Sequence, residues 1–218
     1  MHYLNPELFF GPHTYAQHGE DLVLQAIFWQ LGMKQPSYLD VGAYDPVRLS
    51  NTALLYERGC RGVNVDATPG VVDDFKRARP DDLNLACAVG PQRGRQPFYV
   101  IERNRGLNSL VSGMHPIFTE RHQMMVQVEM IMDIVDAHCG GRFPDLLSID
   151  IEGSELAVLE TIDYARTAPN VIIAEVMPQL EGYSVAIRRL LESVGYFFVF
   201  RCVDNVIFIR EKFRELMY

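Results

Sequence analysis

The 218-residue sequence has no uninterrupted apolar run near the ~20 residues that a membrane-spanning helix requires, so no membrane partner is expected. Basic residues are scarce. Twenty Lys and Arg against 28 Asp and Glu leave a net charge of −8, which gives no electrostatic footprint for a nucleic-acid backbone. Only four cysteines occur (Cys60, Cys87, Cys139 and Cys202), and no two stand at C-x-x-C spacing. That pattern excludes a disulfide framework or a zinc motif and fits reduced thiols in a cytoplasmic protein. The first ten residues, MHYLNPELFF, lack the basic start and small-residue ending of a signal peptide. No G-x-G-x-x-G triplet, internal repeat or low-complexity linker is found either.

What is present is an ordinary globular composition, 48% hydrophobic and 22% charged, at a length suited to one domain. Short apolar runs alternate with amphipathic stretches. The runs 37–41 (SYLDV), 62–66 (GVNVD), 83–89 (LNLACAV), 145–149 (DLLSI) and 170–176 (NVIIAEV) read as strands buried on both faces of a parallel sheet. Helical patterns cover 20–31, 50–58, 71–79, 131–139, 155–162 and 184–194. This alternation predicts an α/β fold. The last two runs, 196–201 and 206–210, are joined too closely for a parallel crossover, so they form an antiparallel hairpin that closes a mostly parallel, seven-stranded sheet. Residues 97–102 and 126–130 predict extra strands flanking a polar loop. The whole chain, 1–218, reads as one domain, with 1–36 an N-terminal lid or helix segment and 90–130 an insertion that contributes to substrate contacts.

In open α/β sheets, ligands bind beyond the carboxyl ends of the strands, where strand order reverses. The first strand ends in Asp40-Val41-Gly42-Ala43, and Gly42 allows a sharp turn or close approach. A single glycine where dinucleotide binders use three counts against NAD. Asp66, followed by Ala67, ends the second strand, where a carboxylate suits the ribose hydroxyls of an adenosine. Cys87, Ala88 and Val89 would lie against an adenine edge. The fourth strand runs into Asp150-Ile151-Glu152-Gly153-Ser154-Glu155, where two acids share a side at a strand mouth. Such a pair raises one pKa for proton abstraction or recruits a cation. Ser154 is placed to cap the helix starting at Glu155. Glu175 ends the fifth strand and could join these acids.

Taken in order, the runs Tyr15-Ala16-Gln17-His18-Gly19-Glu20-Asp21, Leu39-Asp40-Val41-Gly42-Ala43, Ser50-Asn51-Thr52, residues 59–66 (GCRGVNVD) and 149–155 (IDIEGSE) resemble the FkbM-type S-adenosylmethionine-dependent methyltransferases. The resemblance spans about residues 15–210. It implies the class I, Rossmann-like methyltransferase fold, bound S-adenosylmethionine, and methylation of a hydroxyl oxygen on a sugar or other natural-product acceptor. It also implies that Asp40, Gly42 and Ala43 contact the methionine end and Asp66 the ribose, with Gln17, Glu20, Ser50 and Asn51 framing the amino and carboxylate groups. Residues 90–130 match the family only at Asn108-Ser109-Leu110.

Methyl transfer needs alignment of the acceptor and removal of its proton. Asp150 is the first candidate base, with Glu152 positioning it or the cofactor, and His18 and His115 as alternative bases. Asp150, Glu152 and Glu175 offer the oxygen ligands that Mg²⁺ prefers, but three scattered acids do not fix a site, and the metal stays unassigned. Phe9, Phe10 and Tyr15 suit a lid or a homodimer contact. The competing readings are an NAD(P)-dependent oxidoreductase and a non-catalytic binding or scaffolding domain on the same fold.

Overall fold

A computed structural model describes residues 13–117, 121–177 and 182–217. Phe9 and Phe10 lie outside them. The chain runs α1 (Glu20–Gln30), β1 (Tyr38–Val41), α2 (Ala53–Glu57), β2 (Gly62–Val65), α3 (Val71–Ala78), β3 (Leu83–Leu85), β4 (Ala88–Val89), β5 (Gly94–Ile101) and β6 (Arg121–Glu129). It continues through α4 (Ile131–His138), β7 (Leu146–Ile149), α5 (Glu155–Leu159), β8 (Val171–Glu175), α6 (Tyr183–Ser193), β9 (Tyr196–Cys202) and β10 (Asn205–Arg210).

Seven strands form one sheet in the order β3-β2-β1-β7-β8-β10-β9. All pairings from β3 to β8 are parallel, and β10 is antiparallel to both β8 and β9. The expected fold class is therefore present: the class I methyltransferase fold with its antiparallel C-terminal strand. The central strands β1 and β7 are buried along their whole length, which is why their sequences read as continuous apolar runs rather than alternating ones. One core lies against Leu39, Leu147 and Ile172. A second lies on the opposite face, where Leu24, Ile27 and Phe28 of α1 pack on Tyr38 and Leu146.

The strand expected over 83–89 breaks in two. Leu83–Leu85 pairs with β2, whereas Ala88–Val89 leaves the main sheet and pairs with β6. A run of apolar residues cannot report which sheet each half joins. The insertion is correspondingly more ordered than a loop. Strands β4, β6 and β5 form a second, three-stranded sheet with its own small core of Ala88, Phe98, Val100, Val126 and Val128. From β5 the chain passes through a 3-10 turn, Arg105–Leu107, and Ser109 bridges back to Tyr99. Helices α2 and α5 are each five residues long, shorter than their patterns suggested, because residues 50–52 and 160–162 turn away.

Candidate functional site

Strand order reverses at β1, which lies between β2 and β7, and a cavity of about 440 Å³ opens at the carboxyl ends of these strands. Its size falls within the roughly 300–1,000 Å³ of small-molecule sites. Asp40, Gly42 and Ala43 line it from β1, Asp66 and Ala67 from β2, Asp150 and Glu152 from β7, and Ala88 from the second sheet. Gln17, Ser50 and Asn51 complete one wall. Two of the expected site residues are not brought in. His18 is exposed, its backbone N–H donates to Glu20 Oε2 at 2.7 Å, and its Nδ1 lies 3.6 Å from Glu20 Oε1. Glu20 is fully buried and accepts from Asn205 Nδ2 at 3.0 Å, tying α1 to β10.

Gly42 has a specific physical reason to be glycine. Its φ is +77°, and a Cβ there would fall 1.7 Å from the Asp150 carbonyl oxygen. The bare backbone lets the ends of β1 and β7 converge, with Asp150 N–H donating to Val41 O at 2.9 Å. Asp66 then sets the next turn. Its Oδ2 accepts from Tyr44 N–H at 2.8 Å and its Oδ1 from Thr68 N–H at 2.6 Å, leaving the outer lone pairs for a ligand. Burial nevertheless pushes the Asp66 carboxyl above its ordinary range.

Asp40 is buried and accepts from Thr52 Oγ1 at 2.6 Å. Behind it stands Arg79, a residue that the sequence reading left at the end of an amphipathic helix. Its guanidinium is buried and donates to Thr52 Oγ1 and Ser50 Oγ, both at 2.8 Å, and to the Pro46 carbonyl. Burial pushes the Asp40 carboxyl up, and the Thr52 bond and the Arg79 charge oppose that push. A lone arginine after α3 carries no pattern that would reveal this role.

The β7 mouth concentrates acid. Asp150, Glu155 and Glu175 bring carboxylate oxygens within 4.8 Å of one another. Burial raises all three, and neighbouring carboxylates add to it: Glu155 beside Asp150, and Asp150 and Glu152 beside Glu175. Glu175 Oε2 is buried without a hydrogen-bond donor. Glu155, which the sequence reading treated only as a helix start, organises the turn. It accepts from Ile151 N–H at 2.7 Å, from Gly153 N–H, and from the Tyr183 hydroxyl at 2.6 Å. Ser154 occupies the N-cap position of α5 but makes no side-chain capping bond; the Leu156 N–H that such a cap would take donates instead to the Tyr183 hydroxyl oxygen at 3.1 Å. Glu152 stands apart from this trio, with its Oε2 2.8 Å from His115 Nε2.

The roof of the cavity comes from the insertion. Asn104, Arg105, Gly106, Leu107, Asn108, Leu110 and His115 all line it. Asn108 fixes this segment by donating from Nδ2 to Thr68 Oγ1 at 3.1 Å and accepting Ile101 N–H at 2.8 Å. Ser109 Oγ donates to the Glu152 carbonyl at 2.7 Å. The Asn108-Ser109-Leu110 triplet was the visible signal for this, and the rest of the segment gave none. Strained backbone collects here too. Tyr44, Leu49 and Glu152 are non-glycine residues with φ of +55° or +56°, and all three line the cavity; such strain tends to gather at functional sites.

Fold and site together define a domain of the class I methyltransferase type. The chain belongs to the family described as the methyltransferase FkbM domain, whose model matches residues 40–198. A fungal relative, "Methyltransferase 1" of Beauveria bassiana (strain ARSEF 2860), is 28% identical over 122 residues, covering 53% of this chain and 48% of that protein; the chain thus spans about half that relative's length. Similar solved structures include a TehB-like SAM-dependent methyltransferase from Corynebacterium glutamicum ATCC 13032 Kitasato (12% identity, 89% and 88% of the two chains, TM-score 0.48). Another is the precorrin-6y C5,15-methyltransferase from Geobacter metallireducens GS-15 (13% identity, 95% and 96%, TM-score 0.48). Among the described residues, no helix is long and apolar enough to cross a membrane.

Proposed function

We propose that this protein is an S-adenosylmethionine-dependent methyltransferase acting on a hydroxyl oxygen of a small, uncharged or cationic acceptor such as a sugar or natural product. The observation that carries this reading is the charge lining of the cavity. Asp40, Asp66, Asp150, Glu152, Glu175 and Asp204 face it, against Arg105 as the one Lys or Arg among the described lining residues. Burial and mutual repulsion raise several of these carboxyls, so a cationic ligand that lets them ionise is favoured there, whereas an anionic acceptor finds Arg105 as its one fixed counter-charge among the described lining residues.

The residues fit the cofactor. Asp66 offers free lone pairs for ribose hydroxyls, Ala67, Ala88 and Phe98 offer an apolar slot for a purine, and Gly42 leaves the floor without a side chain. Asp40, Ser50, Asn51 and Gln17 would hold the amino-acid end. When bound, S-adenosylmethionine supplies a methyl group on a positively charged sulfur, and transfer to a hydroxyl releases one proton. Asp150, Glu152 and His115 are the groups at the cavity that can take up that proton. A dinucleotide reading is not favoured, because β1 is followed by a loop over 42–52 rather than by a glycine-rich turn into a helix.

The test is release of S-adenosylhomocysteine across an acceptor panel. Neutral polyols and glycosides are expected to be methylated, and their phosphorylated counterparts to be poor substrates. Cofactor binding with no turnover on any acceptor would instead support a non-catalytic domain.

A further inference from the structure

At the β7 mouth, Asp150, Glu155 and Glu175 bring carboxylate oxygens within 4.8 Å of one another, and Glu155 is held by the Ile151 and Gly153 amides, whereas Glu152 turns to His115. Glu152 takes a left-handed backbone conformation, φ +55°, which aims its carboxylate at the roof. There its Oε2 meets His115 Nε2 at 2.8 Å, with both side chains mostly buried at 13% and 9% exposure. Two further contacts seat His115. Ser109 Oγ donates to the carbonyl of Glu152 itself. At the next residue, the Met114 terminal methyl packs over the bare Cα of Gly153 (φ +98°), 2.0 Å from where a Cβ would stand. With Nε2–H donating to Glu152, the imidazole has Nδ1 as its remaining acceptor, and among the described residues no donor is bonded to it.

We infer that His115 is the catalytic base of the reaction proposed above, taking the acceptor's hydroxyl proton at Nδ1, with Glu152 as the residue that positions it. The inference rests on the methyltransferase reading. In the step, the acceptor's O–H bond breaks and a proton–Nδ1 bond forms, while the new oxygen–carbon bond replaces the carbon–sulfur bond, whose electron pair stays on sulfur. The resulting imidazolium is neutralised by the Glu152 carboxylate. Burial pushes the imidazole below its ordinary value, and burial together with Asp150, Glu155 and Asp204 pushes the Glu152 carboxyl up to about 9. The step therefore proceeds from the form in which Glu152 is ionised and the shared proton sits on Nε2, and the pair titrates as one unit. The charges facing that unit are Asp150 from the β7 mouth, Glu155 from α5, Glu175 from β8 and Asp204 from the β9–β10 turn.

Three readouts test this. First, H115Q and H115N are expected to lower kcat at least ~100-fold while calorimetry shows S-adenosylmethionine bound within about threefold of the wild type. That retained binding also reports that the variants fold. Second, E152Q is expected to move the acid limb of the kcat–pH profile to lower pH and E152D to restore part of kcat, which a merely structural role for Glu152 would not do. Third, nitrogen NMR of the ligand-free protein at a pH above that limb is expected to show His115 as the Nε2–H tautomer. A kcat within threefold of wild type in H115Q, an unmoved acid limb in E152Q, or the Nδ1–H tautomer would overturn the inference. If the wild-type protein neither binds S-adenosylmethionine nor turns over any acceptor, the methyltransferase reading fails first and takes the catalytic role with it.

Discussion

The floor and the roof of the cavity are made by different means. The floor is backbone held by backbone and by buried side chains: the ends of β1, β2 and β7 converge over Gly42, and the Asp66 carboxylate fixes its turn through the amides of Tyr44 and Thr68. Buried Arg79 ties down the adjoining loop through Pro46, Ser50 and Thr52. The roof is a separate small sheet that reaches the floor through a few side-chain bonds, chiefly from Asn108, Ser109 and His115. On the proposed function, a floor of this kind presents one cofactor surface beneath many roofs, and acceptor choice and proton removal would fall to the insertion.

The contrast breaks most severely at Gly42. A Gly42→Ala change puts a methyl inside the Asp150 carbonyl and forces an L-residue into a left-handed conformation. The expected loss is roughly 3–6 kcal/mol of stability, read by denaturant unfolding. A loss below about 1 kcal/mol would show that the floor yields as easily as the roof.

A smaller effect is expected from charge. Glu175 has its carboxyl pushed up from 4.5 to about 11 by burial first and then by Asp150, Glu152 and Glu155. A folded-state pKa above the unfolded one means that the folded protein holds the extra proton. Stability from this group is therefore full below about pH 4.5 and is lost as pH rises toward 11. The ligand-free protein is expected to be less stable at pH 9 than at pH 6, and Glu175→Gln to recover on the order of 1–2 kcal/mol at pH 9. A Glu175→Gln protein with the same pH slope as the wild type would contradict this origin.

A change of similar size belongs to the roof. Asn108→Ala leaves the Ile101 amide and Thr68 Oγ1 without their partner, at a cost of about 1–2 kcal/mol. Hydrogen exchange is expected to quicken in β5 and residues 104–110 while β1 and β7 stay protected. Equal loss of protection in both regions would merge floor and roof into one cooperative unit.

The same division decides what could be read from the sequence. The main sheet was legible because doubly buried strands are continuous apolar runs and a short link forces a hairpin, as in β9 and β10. The floor residues were legible because strand ends meet at one place in this topology, so Asp40, Gly42, Asp66 and Asp150 could be located by offset alone. Arg79 and Glu155 were missed because their roles depend on which distant backbone groups they meet, and no periodicity records that. The break between Leu85 and Ala88 was missed for a similar reason, since partner choice is a tertiary event. Glu20 was expected at the cavity from the family motif and His18 as an alternative base, yet neither lines it, and the structure uses Glu20 to join α1 to β10 through Asn205.

Calorimetric titration with S-adenosylmethionine, comparing wild type with Asp66→Asn, tests the floor as a cofactor site most directly. One-site binding in roughly the micromolar range, weakened about tenfold or more in the variant, is the expected result. Absence of binding to the folded wild-type protein, or equal affinity in the two proteins, would contradict it.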